Sequence, residues 1–232
     1  MARTSTKSEQ FHSIRDGLLD VAQELFEAGG VGAMSFRAIS KRYGCSSMKA
    51  YSYFSSKADI VDALRIRAYH WLEAELNRAA CSKADPAEAL RGVTFAYSDA
   101  ARARPRMYEL LYTPHGEKDE AHPDLIAAKS GALGVCQHAI EAVAALPEYT
   151  LKFEPSKAAH LFWIAAHGLV SLRDGGFLVV GYEADEILPT LFDTTINGIF
   201  ERRPMTVTSV KNFPRIISVC VPGSQKCDFH RE

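Results

Sequence analysis

Residues 35–57 hold five cations, Arg37, Lys41, Arg42, Lys49 and Lys57, and no carboxylate. The chemistry open to such a stretch is pairing with phosphates, which supply much of a protein's affinity for nucleic acid. The 232-residue chain as a whole carries a net charge of −1, so the basic character is local and the chain is no polybasic wrapper. One module is expected to meet phosphates while another does something else.

The cations need a scaffold, and the neighbouring residue types predict one. Ser35 is a good cap for a helix whose inward face is Phe36, Ile39 and Tyr43. Gly44 lies where a helix end wants left-handed backbone. Ser46 caps a second helix that turns Ala50 and Phe54 inward. Helix, tight glycine turn, helix is the layout of a helix-turn-helix, whose second helix enters the DNA major groove. A solvated basic face on an ordinary helical hairpin is the plainer alternative, and the turn residues favour the DNA reading. Ahead of the motif, residues 11–29 place Ile14, Leu18, Val21, Ala22, Leu25 and Phe26 on one helical face, ended by Gly29 and Gly30. That helix would complete a three-helix head. Residues 1–10 read as a flexible polar arm carrying Arg3 and Lys7, without the apolar core of a signal peptide.

Helical periodicity continues behind the head. With Ser55 or Ser56 as cap, a long helix runs from Lys57 to about Ala80, a natural mechanical link to a second domain. Further helices are expected at 85–103, 105–111, 123–146, 155–174 and 185–202. The helix at 155–174 is apolar nearly all round and should be buried on more than one side. With the helix at 185–202 it offers surplus apolar surface suited to a subunit interface. The fold class is therefore all-α. Its expected divisions are a head at 1–56, a larger helical domain at 57–203 and an irregular tail at 204–232, to which no role is assigned. No apolar run approaches the ~20 residues of a membrane span. Five widely spaced cysteines imply no disulfide framework and suit a reducing cytoplasm.

The string Gly44-Cys45-Ser46, followed by Tyr51-Ser52-Tyr53-Phe54-Ser55-Ser56-Lys57-Ala58-Asp59-Ile60, resembles the DNA-binding domain of the tetracycline-repressor (TetR) family. So do residues 35–40 and the Ala22, Leu25, Phe26, Gly29 helix before them. The likeness covers roughly residues 11–60. Cys45 stands where the family usually has a small aliphatic residue, and Ser40 where it usually has alanine. Residues 163–168, Trp-Ile-Ala-Ala-His-Gly, resemble the Trp-His-Gly signature of one C-terminal domain type in the family. The resemblance implies a homodimeric transcriptional regulator, by family default a repressor. It would bind a palindromic operator, dimerise through 155–174 and 185–202, and answer to a small-molecule effector in the C-terminal domain.

By position in the motif, Ser47, Met48, Lys49 and Ser52 are expected to face base edges. Arg37, Ser46, Tyr51, Tyr53 and Lys57 are expected on phosphates, with core packing as the alternative for the two tyrosines. Trp163 and His167, one turn apart, line the effector pocket or pack the core, and core packing is the simpler reading. Tyr97, Met107, Tyr108 and Phe162 are looser pocket candidates. A metal site at His115, Glu117, Asp119, His122 and Asp124 has no fixed ligand spacing, so a solvated loop is preferred. Cys227 and His230 are weaker metal candidates still. Cys45 as a redox switch yields to a buried structural thiol. No motif for catalysis, metal or cofactor is found. The other class kept open is a helical ligand-binding or adaptor protein whose head no longer binds specific DNA.

Overall fold

The computed structural model describes residues 6–112, 122–179 and 181–203. Arg3, the loop residues His115, Glu117 and Asp119, and the tail with Cys227 and His230 lie outside them. The fold is all-α. In order come α1 (Lys7–Ala33), α2 (Phe36–Tyr43), α3 (Ser47–Tyr51), α4 (Lys57–Cys81), α5 (Pro86–Ala103), α6 (Pro105–Tyr112) and α7 (Pro123–Ala144). Then follow β1 (Tyr149–Leu151), α8 (Pro155–Asp174), α9 (Ala184–Ile199) and β2 (Phe200–Arg202). The chain divides into two compact units, Met1–Tyr69 with Arg104–Ala128, and His70–Ala103 with Lys129–Glu232.

The first unit is built on α1, whose Leu18, Leu19, Ala22 and Phe26 are buried. Thr6 and Glu9 exchange a reciprocal cap at its start. Gly29 and Gly30 leave helical geometry, Gly30 with φ +67°, so the regular helix stops where the glycines predict. The ring of Tyr43 lies so close to Gly17 that a Cβ there would sit 2.7 Å from it, which brings α2 down onto α1.

This unit is larger than the expected head at 1–56. It keeps α4 as far as Tyr69 and takes in α6. The ties are specific. Arg67 pairs with Asp20 of α1 at 2.6 Å. Tyr69 donates its hydroxyl to the carbonyl of Leu111 at 2.8 Å. Arg104 pairs with Glu27. None of these long-range partners has a local sequence signature.

In the second unit α8 packs on α9 and α5. Arg102 pairs with Asp185, and Arg91 reaches Asp193 at 3.4 Å, which fastens α5 to α9. The Asp185 carboxyl is held below the ordinary range chiefly by its hydrogen bond from Arg102. The expected helix at 185–202 ends instead at Ile199, where the chain becomes extended and β2 pairs antiparallel with β1. Lys152 donates to the carbonyls of Asn197 and Gly198, closing the end of α9. Strands of three residues are too short for alternation to betray them.

The chain by itself buries α8 on one side only. Ala158, Ala159, Phe162, Ala166, Leu169 and Val170 are inside, while Leu161, Ile164 (67% exposed) and Leu172 (46%) face outward. Nothing lies within 4 Å of a Cβ built on Gly168, so that glycine is not explained by close packing within the chain. Among the described residues no helix is long and apolar enough to cross a membrane.

Ser40 supplies a test of the packing. It is 2% exposed, and its carbonyl accepts from both Gly44 and Cys45 at 2.9 Å, but its hydroxyl has no hydrogen-bond partner. A buried unsatisfied hydroxyl costs about 1–3 kcal/mol. Ser40→Ala is expected to raise stability by about 1 kcal/mol in urea unfolding. Gly44→Ala is expected to lower it by about 1–2 kcal/mol, since φ there is +84°. Gly32→Ala, at an open position without positive φ, is the control and is expected to gain up to about 1 kcal/mol.

Candidate nucleic-acid interface and apolar cavity

The tight turn is built from local hydrogen bonds. Ser35 accepts from the amide of Ala38 at 3.1 Å and starts α2. Gly44 takes left-handed backbone, φ +84° and ψ +36°, and ends it. Ser46 accepts from the amide of Lys49 at 3.2 Å and starts α3. Ala50 and Phe54 are buried, so α3 is anchored by its inner side. Ser56 then accepts from the amide of Asp59 at 3.1 Å, and Asp59 accepts from the amide of Ser55 at 2.9 Å. This reciprocal cap starts α4 at Lys57.

The same geometry sets what points outward. Met48 is 85% exposed and Lys49 is exposed beside it. Ser47 is half-buried. Ser52 is exposed, and its hydroxyl donates to the carbonyl of Lys49 at 2.6 Å, leaving oxygen lone pairs as its outward chemistry. Ser46 is exposed although its oxygen serves the cap. Arg37, Lys41 and Lys57 are exposed, and among the described residues no ion pair engages them or Lys49. Arg42 differs, because it pairs with Glu24 at 2.7 Å. Four cations of the five thus face solvent without a carboxylate.

The two tyrosines each pack on a neighbouring ring and keep part of their surface open. The Tyr51 ring stacks on Phe36, centroids 3.8 Å apart and planes 17° from parallel, yet the residue is 55% exposed. Tyr53 is half-buried, its ring 4.7 Å from that of Phe11. Arg15 lies over the Phe54 ring at 4.7 Å. Periodicity gave no sign of Arg15, Phe11 or Glu24 as supports, because all three lie off the buried stripe of α1. Cys45 in the turn is half-buried.

An apolar pocket, open to solvent, lies within the second unit. Four helices each present a pair one turn apart. Leu72 and Leu76 come from α4, Val93 and Tyr97 from α5, Ala132 and Cys136 from α7, and Phe162 and Ala166 from α8. Thr94, Leu133 and Trp163 fill the gaps between them. No lining side chain is charged. Burial pushes the Cys136 thiol up to about 12, so it stays protonated.

Three of the expected pocket residues, Tyr97, Phe162 and Trp163, line this cavity. His167 stands next to it through hydrogen bonds. Trp163 Nε1–H donates to Tyr97 Oη at 3.1 Å, Tyr97 Oη lies 3.5 Å from His167 Nδ1, and His167 Nε2 lies 3.3 Å from Ser171 Oγ. Met107 and Tyr108 do not line it. They sit on α6, buried in the first unit. Their adaptable side chains fill core there instead. Leu72, Leu76 and Ala132 were readable only as core residues, since nothing separates a core face from a cavity face in one helix.

Of the acidic and histidine loop residues, His122 and Asp124 are described, and His122 Nδ1 accepts from the amide of Leu125 at 3.3 Å to cap α7. Among the described residues no three His, Cys, Asp or Glu side chains come together as a metal site.

Residues 18–64 match the family described as bacterial regulatory proteins, tetR family, and residues 90–195 match the tetracyclin repressor-like C-terminal domain. The uncharacterized HTH-type transcriptional regulator Rv0681 of Mycobacterium tuberculosis is 28% identical over 166 residues, covering 71% of this chain and 72% of the relative. The HTH-type transcriptional repressor KstR2 of the same organism is 34% identical over 91 residues, 39% of this chain and 46% of the relative. A solved Rhodococcus sp. RHA1 protein of unknown function shares the fold at TM-score 0.70, with 23% identity, across 81% of this chain and 95% of that one.

His167 generates a pH prediction. Burial lowers its folded pKa below the ordinary value of about 6.5. On acidification the unfolded chain takes up that proton first, so the contribution is intact above about pH 6.5 and declines as the pH falls below it. Between about pH 7.5 and about pH 5.5 the melting temperature of His167→Gln is expected to fall less than that of the parent, followed by circular dichroism. Parallel falls in the two proteins would remove His167 as a source.

Proposed function

Because the chain belongs to the tetracycline-repressor (TetR) family of transcriptional regulators and carries the family's DNA-binding N-terminal domain, we propose that it is a homodimeric repressor of a palindromic operator, released or retained by a small-molecule effector. Members of this family are non-enzymatic, bind DNA, form homodimers and bind small molecules such as acyl-CoA. The observation that carries the proposal is the outer surface of α3, where Met48 and Lys49 stand exposed on a helix anchored from behind by Ala50 and Phe54.

In this reading Ser47, Met48, Lys49 and Ser52 meet base edges. Lys49 suits guanine O6 and N7, and Met48 suits a thymine methyl. Arg37, Ser46, Tyr51, Tyr53 and Lys57 hold phosphates and fix the register. Residues 1–56 act as the reading head, and 57–203 hold the effector and the dimer contact. Two-fold symmetry pairs two heads with two half-sites about one helical turn or more apart. The dimer forms through α8 and α9. Leu161, Ile164 and Leu172 supply an apolar stripe on α8, and Gly168 lets a second helix approach. The relative KstR2 is a repressor by name, which supports repression as the direction of control. The place of action is the cytoplasm.

Three variants test the reading. In gel shifts against DNA flanking its own gene, Lys49→Ala is expected to lose about 1–3 kcal/mol on the operator and change base preference at one position. Lys57→Ala is expected to weaken operator and random DNA alike and flatten the salt dependence. Equal losses for Lys49→Ala on both DNAs would remove its base-reading role. Salt-steep but sequence-indifferent binding by the parent would overturn specific regulation. For the dimer, Ile164→Glu is expected to give monomers in light scattering, and an unchanged dimer mass would move the interface elsewhere.

A further inference from the structure

The chemistry of the cavity narrows what fills it. Its walls are aliphatic and aromatic, and the lining carries neither cation nor carboxylate. The Thr94 hydroxyl is turned back to the carbonyl of Leu90 at 3.0 Å, within its own helix. Cys136 is held as a neutral thiol, and burial favours the neutral form of His167 behind the wall. A ligand's ionic group placed here would lose its water and meet no counter-charge, which costs several kcal/mol unless it is paired. Two lining residues bring polar atoms together. Tyr97 Oη and Trp163 Nε1 meet at 3.1 Å on the cavity wall, in line with His167 and Ser171 behind them.

The chain of hydrogen bonds can run in two directions. With Trp163 donating to Tyr97 and Tyr97 donating to His167 Nδ1, the imidazole carries its proton on Nε2 and donates to Ser171. With the other neutral tautomer, His167 Nδ1 donates to Tyr97, and the tyrosine proton turns to another acceptor. A ligand oxygen that accepts a hydrogen bond selects the second arrangement, and one that donates is served by the first. Neither changes the net charge. The spot therefore suits a hydroxyl or carbonyl oxygen, and the lining brings no charged side chain to an ion.

We propose that the effector is an uncharged lipophile with a single hydroxyl or carbonyl oxygen that hydrogen-bonds at Tyr97, and that the cavity discriminates against carboxylates and ammonium ions on the same carbon skeleton. This rests on the reading of the cavity as the effector site. Tyr97 touches the ligand. His167 and Ser171 are positioning residues that set the direction of the tyrosine proton.

Four probes of one chain length separate the possibilities: dodecanol, dodecane, dodecanoate and dodecyltrimethylammonium, each titrated into the full-length protein below its solubility limit or micelle concentration by calorimetry. Dodecanol is expected to bind about tenfold or more tighter than either ion. Tyr97→Phe, with its fold checked by circular dichroism, is expected to lose about fivefold for dodecanol and nothing for dodecane. Trp163 fluorescence should respond to dodecanol in the parent, and Trp71→Phe leaves that residue as the one reporting indole. Equal or tighter binding of either ion overturns the charge selection while leaving the cavity an effector site. Equal dodecanol affinity in Tyr97→Phe overturns the hydrogen bond. No binding of any probe overturns both the ligand class and the cavity as effector site, and the gel shift then stands as the separate measure of DNA binding.

Discussion

A helix of five residues cannot hold itself. Isolated helices shorter than about 12–15 residues are marginal in water, and α3 has five. Its shape is imposed from outside, by the Ser46 cap in front, the left-handed Gly44 before that, and the burial of Ala50 and Phe54 behind. Arg15 over Phe54 and Tyr51 on Phe36 add lateral support. The consequence is a division of labour along a few residues. Side chains that hold the helix are inside or at its ends, so those of Met48 and Lys49 carry no structural duty.

The second unit shows the same economy with different chemistry. Four helices give i, i+4 pairs to one cavity, and small residues at Ala132 and Ala166 leave the space that the large ones wall off. A hydrogen bond between two lining residues joins Tyr97 of α5 to Trp163 of α8. Two helices are thus joined beside the cavity, and α8 carries the exposed Leu161, Ile164 and Leu172 on its other side. A single helix presents both surfaces, on different sides.

Much of the first unit was legible in the sequence because its determinants are local. Ser35, Gly44, Ser46 and Ser56 each act on amides within a few residues, and each does what its type and position predict. What stayed hidden depends on distant partners. The pairing of Arg104 with Glu27 and of Tyr69 with Leu111 places α6 in the first unit, and no spacing within 105–112 encodes it. Met107 and Tyr108 looked like pocket residues for that reason. The ribbon of β1 and β2 is too short to carry a pattern. The outward face of α8 was read as buried, because apolar side chains look alike whether they meet their own core or solvent in the isolated chain.

The first unit is also discontinuous in the chain, and this bears on how it is made. Synthesis runs from the N-terminus at roughly 5–20 residues per second, and domains fold as their parts emerge. The helices α1, α2 and α3 leave the ribosome early, but α6, which packs on α1, ends only at Tyr112 of 232 residues. Until then the nascent unit lacks a wall, and all of α5 must be extruded in the interval. The helix-turn-helix is therefore complete in sequence long before the first unit is, and the newborn chain spends that delay without the Arg104–Glu27 and Tyr69–Leu111 ties.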